Sequence, residues 1–471
     1  MAPPEQSKPF PSPPPPPQRD FQAPKGTRDL YPADLLRRRA IEKAWRDTAV
    51  RHGFEEIDGP TFENLELYTV KSGEGIVSEI FGVFSGKDEA ELSALKQTGQ
   101  APFALRPEFT PTLARMYAAK AGSLPKPTKW FWQQNCFRAE RPQRGRLREF
   151  GQWNVDLIGD VPAPEADAQV VAACVGLLES VGLSPKDVRV RYSHRQVLAT
   201  LLSRLGVEEE QLGAAFVLLD RRERLGDDDL EAMAFEFGLS GGDFLAFLKR
   251  PRGPANFGEL LGYLPGGSEG AGLDLTATLK AFEAELGASG VAEWCEPDFN
   301  IVRGLAYYTG MVFEVHEAGG GERAIAGGGR YDNLVELFGG PSTPAVGFGM
   351  GDVVLSLVLQ DKGLMPSDAE LLERVGARPD VFVISNGQPT ADAQVRPLVA
   401  ALREAGLHAR HTYKTTKNVG KLLQEAGSVG ARFAVIVESE SAATVKEMSS
   451  GEQRPVPLGA VAAEMVRAAK R

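Results

Sequence analysis

The chain has 471 residues, enough for about three domains, and 42% of them are hydrophobic and 25% charged. This globular composition excludes an intrinsically disordered protein, and the formal net charge of −10 means that a nucleic acid would have to bind at a local basic surface. Because no apolar run reaches the ~20 residues that cross a bilayer and no secretory signal pattern is present, we expect a soluble, cytoplasmic protein without a membrane partner.

The N-terminal region combines a proline-rich tail with a helix. Prolines crowd residues 1–20, where they remove backbone donors and favour extended chain, so this segment is predicted to be a disordered tail; such a segment can also be a ligand for aromatic grooves. Apolar residues then recur at helical spacing over residues 35–50. This spacing predicts an amphipathic helix.

The middle of the chain alternates strand and helix patterns. Two β-type runs begin at Trp130 and Arg148 and are separated by RPQRGR, which predicts a long antiparallel hairpin with a basic tip. A helix is predicted over residues 161–183, a strand at DVRVRYS, and an inserted helical subdomain over about 195–290. Strand and glycine signals then return at about residue 303. From about residue 378, strands alternate with helices, which predicts a parallel or mixed α/β domain.

Three short patterns suggest familiar sites but do not fit them. GVFSGKD has one residue too few between its glycines for a Walker A loop, and GFGMGD fails the spacing of a dinucleotide-binding turn. The cysteines form no CxxC pair and the histidines are scattered, so we expect reduced thiols and no structural metal.

The segment from Phe137 to Asp156, FRAERPQRGRLREFGQWNVD, concentrates arginines within the predicted hairpin. On charge alone it is a solvated loop. Chemically, an arginine at a strand end can also hold an α-phosphate through forked, charge-assisted hydrogen bonds, and tip arginines can reach further phosphates or nucleic acid.

This string resembles motif 2 of the class II aminoacyl-tRNA synthetases, and specifically that of the histidyl enzymes. Four further segments resemble that family in the same order: KGTRDLYP, LRPEFTP, RGLAYYTGMVFEV and GGGRYDNLVELFGG. AVGFGMGD corresponds to the motif 3 region. The resemblance runs from about residue 22 to the end. It implies an α+β fold in which an antiparallel-sheet catalytic core over residues 21–365, with the helical insertion, is followed by an α/β anticodon-binding domain over residues 378–471.

The resemblance also implies an activity, which is ATP-dependent activation of L-histidine to histidyl-adenylate and its transfer to tRNA(His), with ATP entering together with Mg²⁺. Arg138 and Arg303 would be catalytic and, with Glu140 and Arg146, would bind ATP. The histidine-binding positions would be Glu108, Thr110, Gln152, Asp156, Tyr307 and Tyr308. A local basic cluster for tRNA is formed in the sequence by Arg410, His411, Lys414, Lys417 and Lys421. The region around Pro60 resembles motif 1 and implies a homodimer.

Two positions depart from the family pattern. Val354 stands where motif 3 generally carries an arginine that stacks on adenine, and Ala306 stands where many members carry aspartate. These departures leave a second hypothesis, the non-charging, histidine-binding regulatory subunit of ATP phosphoribosyltransferase. That relative generally lacks the C-terminal domain, so its presence here favours the enzyme.

Overall fold

The computed structural model describes residues 21–69, 79–222, 225–250, 257–261, 273–303, 307–320, 323–414 and 416–469. The predicted tail (1–20) and Ala306 lie outside the described residues. Within the described part of the chain, no helix is long and apolar enough to cross a membrane.

An eight-stranded sheet forms the centre of the larger part of the chain, in the order β1-β5-β6-β11-β10-β9-β7-β8. Its pairs are antiparallel except for β1–β5 and β7–β8. The strands are β1 (Glu55–Glu56), β5 (Thr128–Phe137), β6 (Glu149–Ile158), β7 (Val188–His194), β8 (Cys295–Pro297), β9 (Met311–Glu317), β10 (Ala326–Arg330) and β11 (Ala345–Gly351). A separate small sheet joins β2 (Phe62–Asn64), β4 (Phe103–Leu105) and β3 (Gly82–Val83). The α+β class predicted from the sequence is confirmed.

The predicted long hairpin is present as β5 and β6. The two ten-residue strands pair from Thr128 with Ile158 to Phe137 with Glu149, and the basic segment forms the connection between them. β6 is a central strand and is buried along most of its length, because Trp153, Val155 and Leu157 pack into the main core. This hairpin therefore carries the arginine-rich tip from the centre of the sheet.

Helices cover one face of the large sheet. The helices of this part of the chain outside the insertion are α1 (Pro32–Arg51), α2 (Leu65–Thr69), α3 (Glu89–Thr98), α4 (Thr110–Ala118), α5 (Ala163–Ser180), α12 (Leu334–Leu337), α13 (Asp352–Asp361) and α14 (Asp368–Arg374). Trp45 of α1 stacks on Trp153 of β6 with ring centroids 6.2 Å apart. Both rings are fully buried, and burying a ring of this size contributes up to about 4–6 kcal/mol before entropy is counted. On the opposite face, α4 and α12 cover Trp130 and Trp132 of β5, and the rest of that face is left for a site.

The described residues between β7 and β8 are mostly helical, as predicted. It contains α6 (Arg195–Arg204), α7 (Leu212–Arg221), α8 (Asp227–Glu236), α9 (Gly242–Leu248), α10 (Phe257–Leu261) and α11 (Leu273–Ala288). Buried residues of these helices, such as Leu218, Phe244 and Phe247, join the same core as the sheet. The insertion is thus anchored to the main core rather than packed only on itself.

The C-terminal part forms a five-stranded mixed sheet in the order β13-β12-β14-β15-β16. Its first three strands are parallel, whereas β15 and β16 add in antiparallel fashion. Two clusters of buried apolar residues, one on each face, hold the helices against the sheet. The elements are β12 (Val381–Ser385), α15 (Pro389–Glu404), β13 (Ala409–His411), α16 (Val419–Ser428), β14 (Phe433–Val437), β15 (Ala442–Glu447), β16 (Gln453–Pro457) and α17 (Val461–Ala469).

Candidate active site

A cavity of about 990 Å³ lies on the open face of the large sheet, between β6, β9, β10, β11 and the tip of the hairpin. Most of the side chains singled out from the sequence line it. These are Glu108, Thr110, Arg138, Glu140, Arg146, Gln152, Arg303, Tyr307 and Tyr308. The fold thus brings together residues that are up to 200 positions apart in the chain.

Glycines in β10 and β11 make room for this cavity and for the side chains beside it. A Cβ on Gly327 would lie 2.3 Å from the guanidinium Nη1 of Arg303, and a Cβ on Gly347 would lie 1.9 Å from Oδ1 of Asp156. Real Cβ atoms essentially never show such distances. The strand glycines therefore mark close approach of neighbouring groups, a frequent reason for glycine inside a strand.

The carboxylate of Glu108 and the amide of Gln152 line the cavity. Glu108 is 4% exposed, and its Oε2 accepts a hydrogen bond of 2.7 Å from the hydroxyl of Tyr307. Burial raises the pKa of Glu108. Its Oε1 is buried and makes no hydrogen bond within the described part of the chain, while the Nε2 of Gln152 donates to Asn154 Oδ1 at 2.7 Å. A buried acceptor at a cavity wall is suited to a ligand donor such as an ammonium group.

Asp156 is not among the residues that line the cavity; Tyr331 and Gly347 lie in the wall at that point. The Tyr331 hydroxyl donates to Oδ1 of Asp156 at 2.6 Å, and burial raises the pKa of this carboxyl to about 7. Tyr331 lies in the quoted GGGRYDN segment, but the sequence analysis gave it no role. A ligand bound at this point would therefore contact the phenol of Tyr331, with the Asp156 carboxyl behind it.

Arginines also line the cavity. Arg138 Nε donates to the carbonyl of Pro107 at 3.0 Å, and its guanidinium lies 5.3 Å from the ring centre of Phe150. The Glu140 carboxylate pairs with Arg146 and lies 3.8 Å from Arg138 Nη1. These contacts hold Arg138 and Arg146 at the cavity, where each guanidinium group can donate forked hydrogen bonds to an anionic group.

Arg303 reaches the cavity from a strained position. Its φ of 56° is in the left-handed region, which costs of order 1–3 kcal/mol for a residue with a side chain. Its Nη1 donates to Oε1 of Glu314 at 2.7 Å. Burial alone would raise the pKa of Glu314, but the hydrogen bond with His316 and the charge of Arg303 outweigh it and lower the pKa to about 2. Glu314 and His316 line the cavity and were not singled out from the sequence.

The N-terminal KGTRDLYP segment is tied to the motif 3 region. Arg28 Nη2 pairs with Oδ2 of the buried Asp352 at 2.8 Å, and Oδ1 of Asp352 accepts from the backbone N–H of Gly151 at 2.8 Å. Asp352 thereby joins β6 to the start of α13. Val354, two residues further on, lines the cavity.

The predicted basic cluster lies on β13, the following loop and the start of α16. Lys414 lies 3.4 Å from Glu425, whereas Lys417 and Lys421 are exposed. The sequence analysis did not single out Tyr413, which is 88% exposed and has its ring 4.5 Å from that of His411. An exposed aromatic ring among cations is a surface on which a nucleic-acid base can stack.

The cavity combines acceptors suited to an amino group with arginines suited to phosphates. A mostly antiparallel sheet with such a cavity fits the class of enzymes that join an amino acid to a nucleotide phosphate.

The comparisons identify the family within this class. The family model described as histidyl-tRNA synthetase matches residues 26–351, and the model described as anticodon binding domain matches residues 380–468. The chain is 37% identical over 454 residues to the histidine–tRNA ligase of Opitutus terrae, covering 95% of this chain and 98% of that relative. It is 36% identical over 452 residues to that of Halobacterium salinarum, covering 93% and 96%. The crystal structure of histidyl-tRNA synthetase from Nostoc sp. PCC 7120 has the same fold, with a TM-score of 0.71 at 24% identity and coverage of 96% and 100%. The chain belongs to the histidyl-tRNA synthetase family.

Proposed function

We propose that this protein activates L-histidine with ATP to form histidyl-adenylate and pyrophosphate, and then transfers the histidyl group to tRNA(His) with release of AMP. It is therefore an aminoacyl-tRNA ligase. The single observation that carries the proposal is that Glu108, Arg138 and Arg303 line one cavity. A non-charging regulatory subunit is not favoured, because the matched relatives are histidine–tRNA ligases over nearly the full length of the chain.

The histidine substrate would bind where Glu108, Thr110 and Gln152 line the cavity. Its ammonium group needs acceptors, and Glu108, Thr110 and Gln152 supply oxygens there. Its imidazole would lie beside Tyr308 and the pair formed by Tyr331 and Asp156, with Tyr307 fixing the Glu108 carboxylate. A site that hydrogen-bonds a polar group of the substrate rejects analogues without that group by ~10⁴ or more.

Activation brings two anions together, since the histidine carboxylate attacks the α-phosphorus of ATP. Arg138 and Arg303 would neutralise the α-phosphate and the carboxylate, so that repulsion falls and charge developing in the transition state is stabilised. Arg146 would bind the γ-phosphate, and Glu140 would lie near the adenine. The charge-assisted pair of Arg146 with Glu140 supports a fixed orientation of this arginine before ATP arrives.

ATP would enter as its Mg²⁺ complex. Mg²⁺ at nucleotide sites is held mainly by phosphate oxygens and waters, with one or two carboxylates. Glu79 and Glu140 lie in the cavity wall beside Arg146, and their oxygens are the ligand type that Mg²⁺ prefers. When bound, the ion would offset negative charge on the phosphates.

Transfer requires the tRNA to bind elsewhere as well. The exposed lysines of the basic cluster, together with Tyr413, support binding of the anticodon region to the C-terminal part despite the net charge of −10. We propose a homodimer because the region around Pro60 resembles motif 1. We further propose that the protein works in the cytoplasm, where it would supply charged tRNA for translation.

The deciding experiment is histidine-dependent ATP–pyrophosphate exchange with the purified protein, which isolates activation from tRNA quality. Robust exchange that is lost in Arg303→Ala supports the proposal. Binding of histidine without any exchange by the unmodified protein would refute it and make a regulatory role the leading hypothesis.

A further inference from the structure

Glu314 of β9 bridges two other side chains of the cavity. Its Oε1 accepts from Arg303 Nη1 at 2.7 Å, and its Oε2 lies 2.9 Å from His316 Nε2. Glu314 and His316 are two positions apart on one strand, so they point to the same face of the sheet. A carboxylate bonded through both oxygens is fixed in rotation, because turning it would break one bond or the other.

In the described part of the chain, two side chains contact the guanidinium of Arg303. Nη1 donates to Oε1 of Glu314 at 2.7 Å, and the ring centre of Tyr308 lies 6.0 Å from the guanidinium carbon. Of these two neighbours, Glu314 is the one with a negative charge. The backbone of Arg303 has the uncommon φ of 56°, and within the described residues its Nε makes no hydrogen bond. The ion pair with Glu314 is therefore an anchor that can fix the orientation of this side chain.

The charge of Glu314 makes this contact costly for a site that binds anions. A carboxylate beside Arg303 offsets part of the positive charge that ATP and the substrate carboxylate need. Both side chains are about one-fifth exposed, so the bond is not explained as the pairing of two fully buried charges. Its use is therefore geometric, since a misplacement of about 1 Å in a reacting site can reduce the rate about 100-fold.

Resting on the proposed function, we propose that Glu314 is a positioning residue that holds Arg303 in the orientation required for histidine activation, and that His316 orients the Glu314 carboxylate. Neither residue touches the reacting atoms in this scheme. Glu314 acts through Arg303, and His316 acts through Glu314.

The test measures kcat and KM in ATP–pyrophosphate exchange for Glu314→Ala, Glu314→Gln and His316→Phe. We expect kcat to fall about 100-fold in Glu314→Ala, while the KM for histidine changes less than about threefold. Glu314→Gln keeps one acceptor oxygen of the same shape and should recover part of the rate. The kcat of His316→Phe should fall about tenfold, because the Glu314 carboxylate remains but can rotate.

A matched control is Glu373→Gln. Glu373 also bridges two cations, Arg378 at 3.2 Å and Arg432 at 3.0 Å, but it does not line the cavity. This variant should retain the exchange rate of the unmodified protein. Equal losses in Glu373→Gln and Glu314→Gln would show a general stability effect and overturn the proposal.

A double variant separates positioning from an independent role. If Glu314 acts only through Arg303, then Arg303→Ala with Glu314→Ala should be no slower than Arg303→Ala alone in single-turnover adenylate formation. A further loss of tenfold or more in the double variant would overturn the proposal, as would an unchanged kcat in Glu314→Ala. Absence of histidine-dependent exchange in the unmodified protein would refute the proposed function instead. Thermal unfolding of each variant identifies loss of fold, and the isosteric Glu314→Gln keeps the comparison decisive if Glu314→Ala does not fold.

Discussion

Gly347→Ala is the substitution for which the structure gives the sharpest expectation. The added Cβ would lie 1.9 Å from Oδ1 and 2.6 Å from Cγ of Asp156, and 2.8 Å from the carbonyl oxygen of Val155. To reach an acceptable contact, the carboxyl must move by more than about 1 Å, which costs about 1–3 kcal/mol in a well-packed core. That movement also breaks the 2.6 Å bond from Tyr331, and an unpaired buried hydroxyl costs about 1–3 kcal/mol more.

Two measurements follow from this argument. The free energy of unfolding in urea should fall by about 2–6 kcal/mol, the sum of the overpacking and unpairing terms. Protein that remains folded should show a KM for histidine in exchange at least about tenfold higher, since 1.4 kcal/mol of lost binding is a factor of ten. Gly351→Ala is the control for stability, because it lies on the same face of the same strand and nothing lies within 4 Å of its added Cβ. Equal free energies of unfolding for Gly347→Ala and Gly351→Ala would refute the argument that the Cβ added at Gly347 clashes with Asp156.

Three further predictions concern the same pocket and the tRNA surface. Tyr331→Phe removes only the hydroxyl that donates to Asp156, so the KM for histidine should rise about tenfold, measured in exchange, while an unchanged KM would remove Tyr331 from the substrate pocket. Burial raises the pKa of Asp156 from 3.8 to about 7, so its contribution to the free energy of unfolding is fully present below about pH 3.8 and is lost as pH rises through about 7. Asp156→Asn should flatten this fall in stability, measured by urea unfolding between these pH values. An identical slope in both proteins would contradict the prediction. The double variant Lys417→Glu with Lys421→Glu should raise the KM for tRNA about tenfold and leave ATP–pyrophosphate exchange unchanged. The control Lys446→Glu on β15 should alter neither quantity. A fall in exchange in the double variant would show that the two lysines have another role.

The parts of the fold that could be predicted are those determined by residues close together in the sequence. The hairpin of β5 and β6 was predicted because two β-type runs flank one short basic connection, and hairpin pairing needs no information from elsewhere in the chain. The order of the eight strands was not worked out from the residues, because β11 pairs with β6 across almost two hundred intervening residues. The C-terminal sheet was predicted as parallel or mixed, and it is mixed; the pair β15 and β16 was not identified individually.

The site residues, too, were predicted only in part. Arg138, Glu108 and Arg303 were expected because each belongs to a string that resembles the family, and all three line one cavity. Glu314 was missed because a polar residue within VFEVHE also fits the solvent face of a strand. The signal was present in the spacing of Glu314 and His316, which places two polar groups on one face of an otherwise apolar strand. Only the fold shows that this face meets Arg303.

The glycines show why sequence patterns alone were insufficient here. GFGMGD was tested as a nucleotide-binding loop and rejected on its spacing, yet Gly347 and Gly349 are important in the site for what they lack. Each lies in β11, where its missing side chain gives room to a neighbour on β6, and Gly327 on β10 does the same for Arg303. The positions of Asp156 and Arg303 therefore depend on these glycines, so substitutions of the glycines should alter binding and catalysis through the residues they make room for.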